Sequence, residues 1–468
     1  MADKTQLVIV GAGPGGYAAA FHAADLGLDV ALVDPEANPG GVCLYRGCIP
    51  SKALLHAASV IHDARAAAEL GLHFGDPAID IGKLRAWKNG VVAKLTGGLG
   101  QLTRQRKVRY VQGRARLLDA STLEIEGAPD GTRRLAFGHA ILATGSRPFE
   151  LAGFPRSPRV LDSTSALDLG DVSGRMLVVG GGYIGLELGS VYAALGCRVT
   201  VVEMLPGLLP GVDRDLVRPL AKRLEVDLEC VRLETRVAEV EERGAGLSVR
   251  FDGQAEAETF DRVLVAVGRG PNSERLGLEA TRVRVDERGF VLVDAQLRTE
   301  EPTISAIGDL VGQPMLAHKA SHEGRTAVEA IAGHKVAFEP AAIPAVVFTD
   351  PEIAWCGWTE DEAKARGRAV EVARFPWAAS GRALTLGRDD GLTKLVLEPG
   401  TGRVLGVGIV GPGAGELIAE GVLAVEMGAT ARDLALTIHP HPTLSETVME
   451  AAEVFFGQST HVFRPKRR

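Results

Sequence analysis

The stretch L-V-I-V-G-A-G-P-G-G, Leu7 to Gly16, decides the fold. Four apolar residues in a row, with no polar alternation, read as a strand buried on both faces, and the glycines that follow read as a tight turn. An alanine-rich segment from Tyr17 to Leu26 has helix composition, Gly27 stands where the helix would end, and V-A-L-V-D, Val30 to Asp34, is a second strand. This order predicts a βαβ unit that binds a dinucleotide. Gly11 permits the turn, Gly13 lets the backbone approach a pyrophosphate, and Gly16 allows the helix to pack closely on the strand. The phosphates would sit at the helix N-terminus, where free N–H groups and the helix dipole favour negative charge. Asp34, at the end of the second strand, is placed to accept ribose hydroxyls.

The pattern returns from Met176 as L-V-V, then G-G-G-Y-I-G, then a helical run from Leu186 to Leu195, Gly196 and V-T-V-V-E. Gly180, Gly182 and Gly185 repeat the glycine spacing and Glu203 falls at the acid position. A carboxylate there suits the two ribose hydroxyls and repels a 2′-phosphate, so the second nucleotide is expected to be NAD. Arg198 lies nearby and reads as a solvated edge charge.

Working outward, 468 residues are too many for one core, and two to four domains are expected. With 46% hydrophobic and 24% charged residues the chain is neither disordered nor fibrous. It has no apolar run long enough to span a membrane. The net charge of −7 gives no support for nucleic-acid binding, and the one basic cluster, Pro465 to Arg468, reads as a solvated tail. The apolar strand begins so soon after Met1 that no signal peptide fits, and a cytoplasmic location is expected. Five cysteines in a chain of this length do not form a disulfide framework.

Between the two units lie a helix-rich stretch, Ser51 to Gln105, and short strands such as Val108–Val111 and Thr122–Ile125. A-T-G-S-R-P, Ala143 to Pro148, closes the first unit, and V-L-V-A-V-G-R-G-P-N, Val263 to Asn272, closes the second. I-S-A-I-G-D, Ile304 to Asp309, reads as a strand that returns the chain to the first domain. From about Ile343 the texture changes to strands and two amphipathic helices, Gly415–Met427 and Leu444–Phe456.

Cys43 and Cys48 sit in G-G-V-C-L-Y-R-G-C-I-P-S-K, just after the first unit. Zinc normally needs a second pair, whereas Cys197, Cys230 and Cys356 are scattered singly and read as small hydrophobes. Two unrelated buried thiols remain an alternative. A redox pair is favoured, because a glycine-flanked loop at this place can lie beside the cofactor.

That cysteine motif resembles the active-site signature of the flavin-dependent pyridine nucleotide-disulfide oxidoreductases. Both glycine motifs, A-T-G, V-G-R-G-P-N, A-I-G-D and H-P-H-P-T-L-S-E extend the resemblance over the whole chain. M-L-A-H-K-A, Met315 to Ala320, together with H-P-T-L-S-E is most similar to members that oxidise a dihydrolipoyl dithiol carried by a protein. The resemblance implies an α/β fold with two Rossmann-like domains: FAD on residues 1–148 and 272–342, NAD on 149–271, and an α+β dimerisation domain on 343–468. It makes Cys43 the thiol that exchanges with substrate and Cys48 the thiol against the flavin. Lys52 would point at the flavin and pair with Glu187. Asp309 would hold the ribityl chain, and Thr144, Gly145 and Gly268 would lie against cofactor.

His441 would be the base, contributed across a homodimer interface, with Glu446 orienting it. Independently of any family, an imidazole titrating near ~6.5 can take and return a thiol proton at neutral pH, and a neighbouring carboxylate fixes its tautomer. His439 competes for this role on sequence grounds. The reaction implied is oxidation of a protein-bound dihydrolipoyl dithiol with reduction of NAD+. The alternatives are another disulfide reductase of the family and a non-catalytic subunit that binds a lipoylated partner.

One departure stands out. Relatives of this kind usually carry asparagine and valine where this chain has Tyr45 and Arg46. A guanidinium there either favours the thiolate, altering the disulfide potential and the approach of substrate, or points away into solvent.

Overall fold

The computed structural model describes residues 3–128 and 133–463, so the basic tail lies outside the described residues. The strand Asp3–Val10 is paired in parallel with Val30–Asp34 on one side and with Arg133–Leu142 on the other. With helices covering both faces, Leu7, Val8 and Ile9 have almost no exposed surface, which is why the run does not alternate with polar residues. Arg109–Gln112 extends this sheet in parallel, and a hairpin of Arg114–Asp119 and Thr122–Glu126 extends it in antiparallel fashion. The late strand Ile304–Ala306 joins the same sheet beside Arg133–Leu142, giving seven strands.

Helix α1 (Pro14–Asp25) leaves the first strand through the glycine turn. Its long C-terminal partner in space is a helix formed by Ala317–Ile331. The two cross closely because Gly15, Ala19 and Gly324 are small; a Cβ at Gly324 would lie 2.6 Å from the Gly15 carbonyl oxygen. Helices α2 (Gly41–Arg46) and α3 (Cys48–Ala66) follow the second strand, and α4 (Ile81–Gln105) packs against both.

The second glycine motif builds a five-stranded parallel sheet, ordered Cys230–Arg232, Arg198–Val202, Arg175–Val179, Arg262–Val265 and Val160–Leu161. Helix α5 (Tyr183–Ala194) follows its central strand, and α6 (Arg214–Asp227) covers its other end. Where the chain enters and leaves this unit, Ser146–Pro148 pairs with Arg269–Pro271 in a two-stranded antiparallel ribbon. Leu54 and Ile61 of α3 share one apolar core with this unit, so the cysteine-bearing helix is packed against both glycine-motif sheets' surroundings rather than exposed on one.

The C-terminal part is a five-stranded antiparallel sheet, with Ile353–Gly357 and Val404–Val410 at its centre. Ala317–Ile331 is α7; α8 (Glu360–Ala365), α9 (Gly381–Thr385), α10 (Ala414–Glu426), α11 (Ala431–Leu436) and α12 (Glu446–Phe456) complete the helices. Trp377 fills this core, its indole N–H donating to Thr393 Oγ1 at 2.9 Å, and Gly391 makes room for the ring. No helix of the described residues is long and apolar enough to cross a membrane.

Candidate active site

A cavity of about 1220 Å3 runs from the first glycine turn to the cysteine pair. At one end Gly11 has φ +101°, and a Cβ there would strike the Ala143 carbonyl, so the turn requires glycine. A Cβ at Gly16 would strike the Gly11 carbonyl, which accounts for the third glycine as close helix-on-strand packing. Gly13 faces open space, with nothing nearer to its Cβ position than Gly41 Cα at 3.9 Å. Asp34 closes this end: its two oxygens accept from the N–H groups of Ala12 at 2.7 Å and Glu36 at 2.9 Å. Burial pushes its carboxyl up, against the pull of the Ala12 N–H and of Arg46.

This end fits a dinucleotide: a backbone cradle without side chains, a helix N-terminus beside it, and a carboxylate with lone pairs to spare. Gly41 was not singled out by the sequence, yet it belongs to the cradle. It has φ +57°, and a Cβ would lie 2.5 Å from Gly13 Cα. The doubled glycine before Cys43 is the signal for it.

At the other end of the cavity stand Cys43 and Cys48. Gly47, in a backbone conformation outside the helical region, separates α2 from α3 and leaves Cys43 on one helix and Cys48 at the first position of the next. Both are free thiols, and they hydrogen-bond to each other. Cys48 is exposed, and its surface opens onto the cavity. The bond from the Cys43 thiol lowers Cys48 to about 7, helped by the Lys52 ammonium and opposed by burial. The same bond, with burial, holds Cys43 protonated. The N-terminal position of Cys48 on a long helix works in the same direction.

Lys52, one turn along α3, donates from Nζ to Glu187 Oε2 at 2.7 Å. Glu187 comes from α5 of the second unit and is buried. Its other oxygen accepts the Phe348 N–H at 3.0 Å, and Lys52 Nζ lies 4.5 Å from the Phe348 ring centroid. Phe348 therefore joins this ion pair from the C-terminal part of the chain, and nothing in its local sequence marked it. Asp309 also lines the cavity, accepting from Ser146 Oγ at 2.5 Å, while Arg269 Nε donates to the same hydroxyl at 2.8 Å. Ser146 and Arg269 stand inside the A-T-G-S-R-P and V-G-R-G-P-N motifs, where their neighbours Thr144 and Gly145, but not they, were expected to matter. Thr144 and Gly145 line the cavity; Gly268 does not, and instead sits beneath the Phe149 ring.

Arg46 does not face the thiols. Its guanidinium forms an ion pair with Glu36, and the Tyr45 hydroxyl donates to the Asn38 carbonyl at 3.0 Å. Neither reading open for Arg46 is met as stated: its charge is neither turned on the cysteines nor left to solvent, but is held by Glu36 at the cavity wall.

In the second unit Gly180 has φ +113° and Gly185 abuts the Gly180 carbonyl, repeating the first turn, while Gly182 faces open space. Glu203 repeats Asp34, accepting from the N–H groups of Gly181 at 2.7 Å and Leu205 at 2.9 Å. Arg198 is exposed and lies toward Glu229, not Glu203. These residues do not line the large cavity.

His441 and Glu446 also lie away from that cavity. His441 Nδ1 is 2.9 Å from Glu446 Oε1, and the side chain is 76% exposed. Glu446 opens α12 and accepts the Thr443 N–H at 2.7 Å; burial opposes its ionisation, but this bond and His441 outweigh it and hold the carboxyl low. His439 is different. Its side chain only 5% exposed, it has Nδ1 against the Thr437 carbonyl and Nε2 against Glu420, each within 2.8 Å, so no nitrogen is left to receive a substrate proton.

Comparison with known proteins agrees with this architecture. Residues 5–324 match the pyridine nucleotide-disulphide oxidoreductase family, and residues 343–452 match that family's dimerisation domain. The chain is 50% identical to dihydrolipoyl dehydrogenase of Vibrio cholerae, covering 99% of this chain and 98% of that one, and 49% identical to that of Haemophilus influenzae, covering 99% and 98%. Among solved structures it is similar to LpdA of Mycobacterium tuberculosis, with a TM-score of 0.90 at 29% identity, over 96% of this chain and 99% of that one. The chain belongs to the pyridine nucleotide-disulphide oxidoreductase family. It is a flavoprotein oxidoreductase whose cofactors are FAD and NAD.

Proposed function

We propose that the protein is a dihydrolipoyl dehydrogenase, oxidising the dithiol of a lipoylated carrier protein through a Cys43–Cys48 disulfide. The observation that carries this reading is the cysteine pair at the mouth of two helices, opening on a dinucleotide-sized cavity with the Lys52–Glu187 pair beside it. Residues 1–148 and 272–342 serve FAD, 149–271 serve NAD, and 343–468 form the interface of a homodimer.

With the enzyme cysteines joined, His441 of the partner subunit takes a proton from one substrate thiol at Nε2, the nitrogen that Glu446 leaves free. That thiolate attacks Cys43 Sγ; an S–S bond to substrate forms, the Cys43–Cys48 bond breaks, and Cys48 leaves as thiolate. The second substrate sulfur then attacks the first. This closes the lipoyl disulfide, returns the electron pair to Cys43, and the second proton ends on the Cys43 sulfur. The product is a Cys43 thiol donating to a Cys48 thiolate, with one proton on His441. That is the protonation pattern the cysteine pair favours, with Lys52 stabilising the thiolate. FAD, when bound, supplies the two-electron relay from this dithiol to NAD+. Gly11, Gly13, Gly41, Asp34 and Asp309 would hold it, and Gly180, Gly182, Gly185 and Glu203 would hold NAD.

Rapid mixing of the yellow protein with dihydrolipoamide should bleach the flavin, and steady-state assays should show NAD+ reduction with free dihydrolipoamide and with lipoylated carriers. Cys43→Ser and Cys48→Ser should each abolish dithiol oxidation, while NADH oxidation by an artificial acceptor survives in part. Full dithiol activity in either variant would remove the pair from the mechanism.

A further inference from the structure

The two residues that depart from the usual pattern, Tyr45 and Arg46, lie between the redox cysteines in sequence but reach away from them in space. They meet the segment that follows Asp34. The Arg46 guanidinium pairs with the Glu36 carboxylate, the Tyr45 hydroxyl donates to the Asn38 carbonyl at 3.0 Å, and Arg46 Cζ lies 5.9 Å from the Tyr45 ring centroid. The segment is tied down at other points as well: Tyr110 donates to the Glu36 carbonyl at 2.8 Å and Gln112 to the Pro35 carbonyl at 3.0 Å. Its first turn is the one whose Glu36 N–H orients Asp34 at 2.9 Å. Asp34, Glu36 and Arg46 all line the large cavity.

The charges explain what such a tie does. A flavin dinucleotide brings a diphosphate with about two negative charges into an end of the cavity that already holds the carboxylates of Asp34 and Glu36, and like charges in a partly buried site repel. A guanidinium on Glu36 neutralises one of the two. It also acts on Asp34, where it opposes the effect of burial and favours the ionised form that accepts ribose hydroxyls. Mechanically, α2 carries Cys43 and the Gly41 that forms one wall of the pyrophosphate cradle. Tying the end of α2 to the Asp34 loop holds both walls of the dinucleotide end together.

We propose that Tyr45 and Arg46 form a latch that retains FAD, and that the positions between the redox cysteines set cofactor release rather than disulfide potential in this chain. The proposal rests on the reading that this cavity holds FAD.

The test uses holoprotein and follows release of flavin by its fluorescence on dilution. Arg46→Val, which loses the tie and leaves the Glu36 carboxylate facing the diphosphate, should speed FAD release about tenfold or more, a loss of about 1.4 kcal/mol per tenfold; Glu36→Gln, which loses the tie but removes that carboxylate, should speed it by less. The double variant should release no faster than the worse single one, because each change breaks the same pair. Arg46→Lys, which keeps the charge, should release FAD more slowly than Arg46→Val, and Tyr45→Phe should show a smaller effect than either. The midpoint potential of the Cys43–Cys48 couple in FAD-saturated Arg46→Val should equal that of the unsubstituted protein. Unchanged FAD release in Arg46→Val, additive losses in the double variant, or a shifted potential would each overturn the latch while leaving the FAD site intact. Unsubstituted protein that binds no FAD would overturn the reading of the cavity and the latch with it.

Discussion

His441 and Glu446 are five residues apart and joined at 2.9 Å through Nδ1, whereas His439, two residues earlier, has both nitrogens occupied. His441→Ala should therefore lower the rate of dithiol oxidation by ~10²–10⁴-fold, as loss of a general base does, with FAD retained. Glu446→Gln should lower it less and change its pH profile. His439→Ala should cost less than His441→Ala. Steady-state rates across pH check all three, and a larger loss in His439→Ala would reverse the assignment.

The ammonium of Lys52 and the carboxylate of Glu187 act on the Cys48 thiolate with opposite signs. In the reduced protein, Lys52→Met should raise the pH at which the Cys48 thiolate forms from about 7, and Glu187→Gln should lower it. Ultraviolet titration of the thiolate under anaerobic conditions measures both. Shifts of the same sign in the two variants would contradict this account.

Glu203 is buried, and both of its oxygens already accept backbone N–H groups, so it cannot swing away from an incoming 2′-phosphate. Arg198, facing Glu229, does not neutralise it. The like-charge contact should favour NAD+ over NADP+ by at least about a hundredfold in kcat/KM, which at ~1.4 kcal/mol per tenfold is about 3 kcal/mol. Glu203→Gln should shrink the ratio. Kinetics with both nucleotides decide it, and comparable efficiency would exclude this role for Glu203.

What the sequence made legible follows from how local each signal is. The βαβ units could be read because a strand buried on both faces, a glycine turn and an alanine-rich helix succeed one another within one short segment. Asp34 and Glu203 could be located by distance from the glycines. Gly41 escaped because its constraint is the approach of Gly13, which is remote in sequence; Phe348 escaped because it meets Lys52 and Glu187 only after three parts of the chain have folded together. Arg46 shows the opposite error. Sequence adjacency to the cysteines suggested an action on them, but along α2 each successive side chain is turned by about 100°, and that turn carries Arg46 to Glu36.

A last relationship ties the second glycine-motif unit to the C-terminal sheet. Lys394, on the strand Leu392–Leu397, is 1% exposed, and its Nζ lies 2.6 Å from Asp213 Oδ2 and 2.9 Å from Asp215 Oδ1, with Glu360 also paired to it. Asp213 and Asp215 stand at the start of α6, and Glu360 opens α8. Arg374 adds a second, half-exposed cation to Asp215. Removing Lys394 leaves Asp213 buried without a cation, while Asp215 and Glu360 keep Arg374, so Lys394→Met should be destabilised by at most about 3–5 kcal/mol, the cost of a broken buried pair. Adding Asp213→Asn to Lys394→Met should recover part of it, since one orphaned charge is removed. The pH dependence follows from the two shifts. Burial acts against the Lys394 ammonium, but its three carboxylate partners prevail and raise it above 10.5, so its contribution is full below that pH and is lost as pH rises through the folded value. Asp215, although burial opposes its ionisation, is held below its ordinary 3.8 by Lys394 and Arg374; its contribution is present above that value and is lost as pH falls through the lower, folded one. Denaturant midpoints at fixed protein concentration, measured near neutrality and at both extremes, would show the variant's deficit largest at neutral pH and shrinking at either end. A deficit that stays constant across this range would mean that Lys394 stabilises this junction by packing and not by charge.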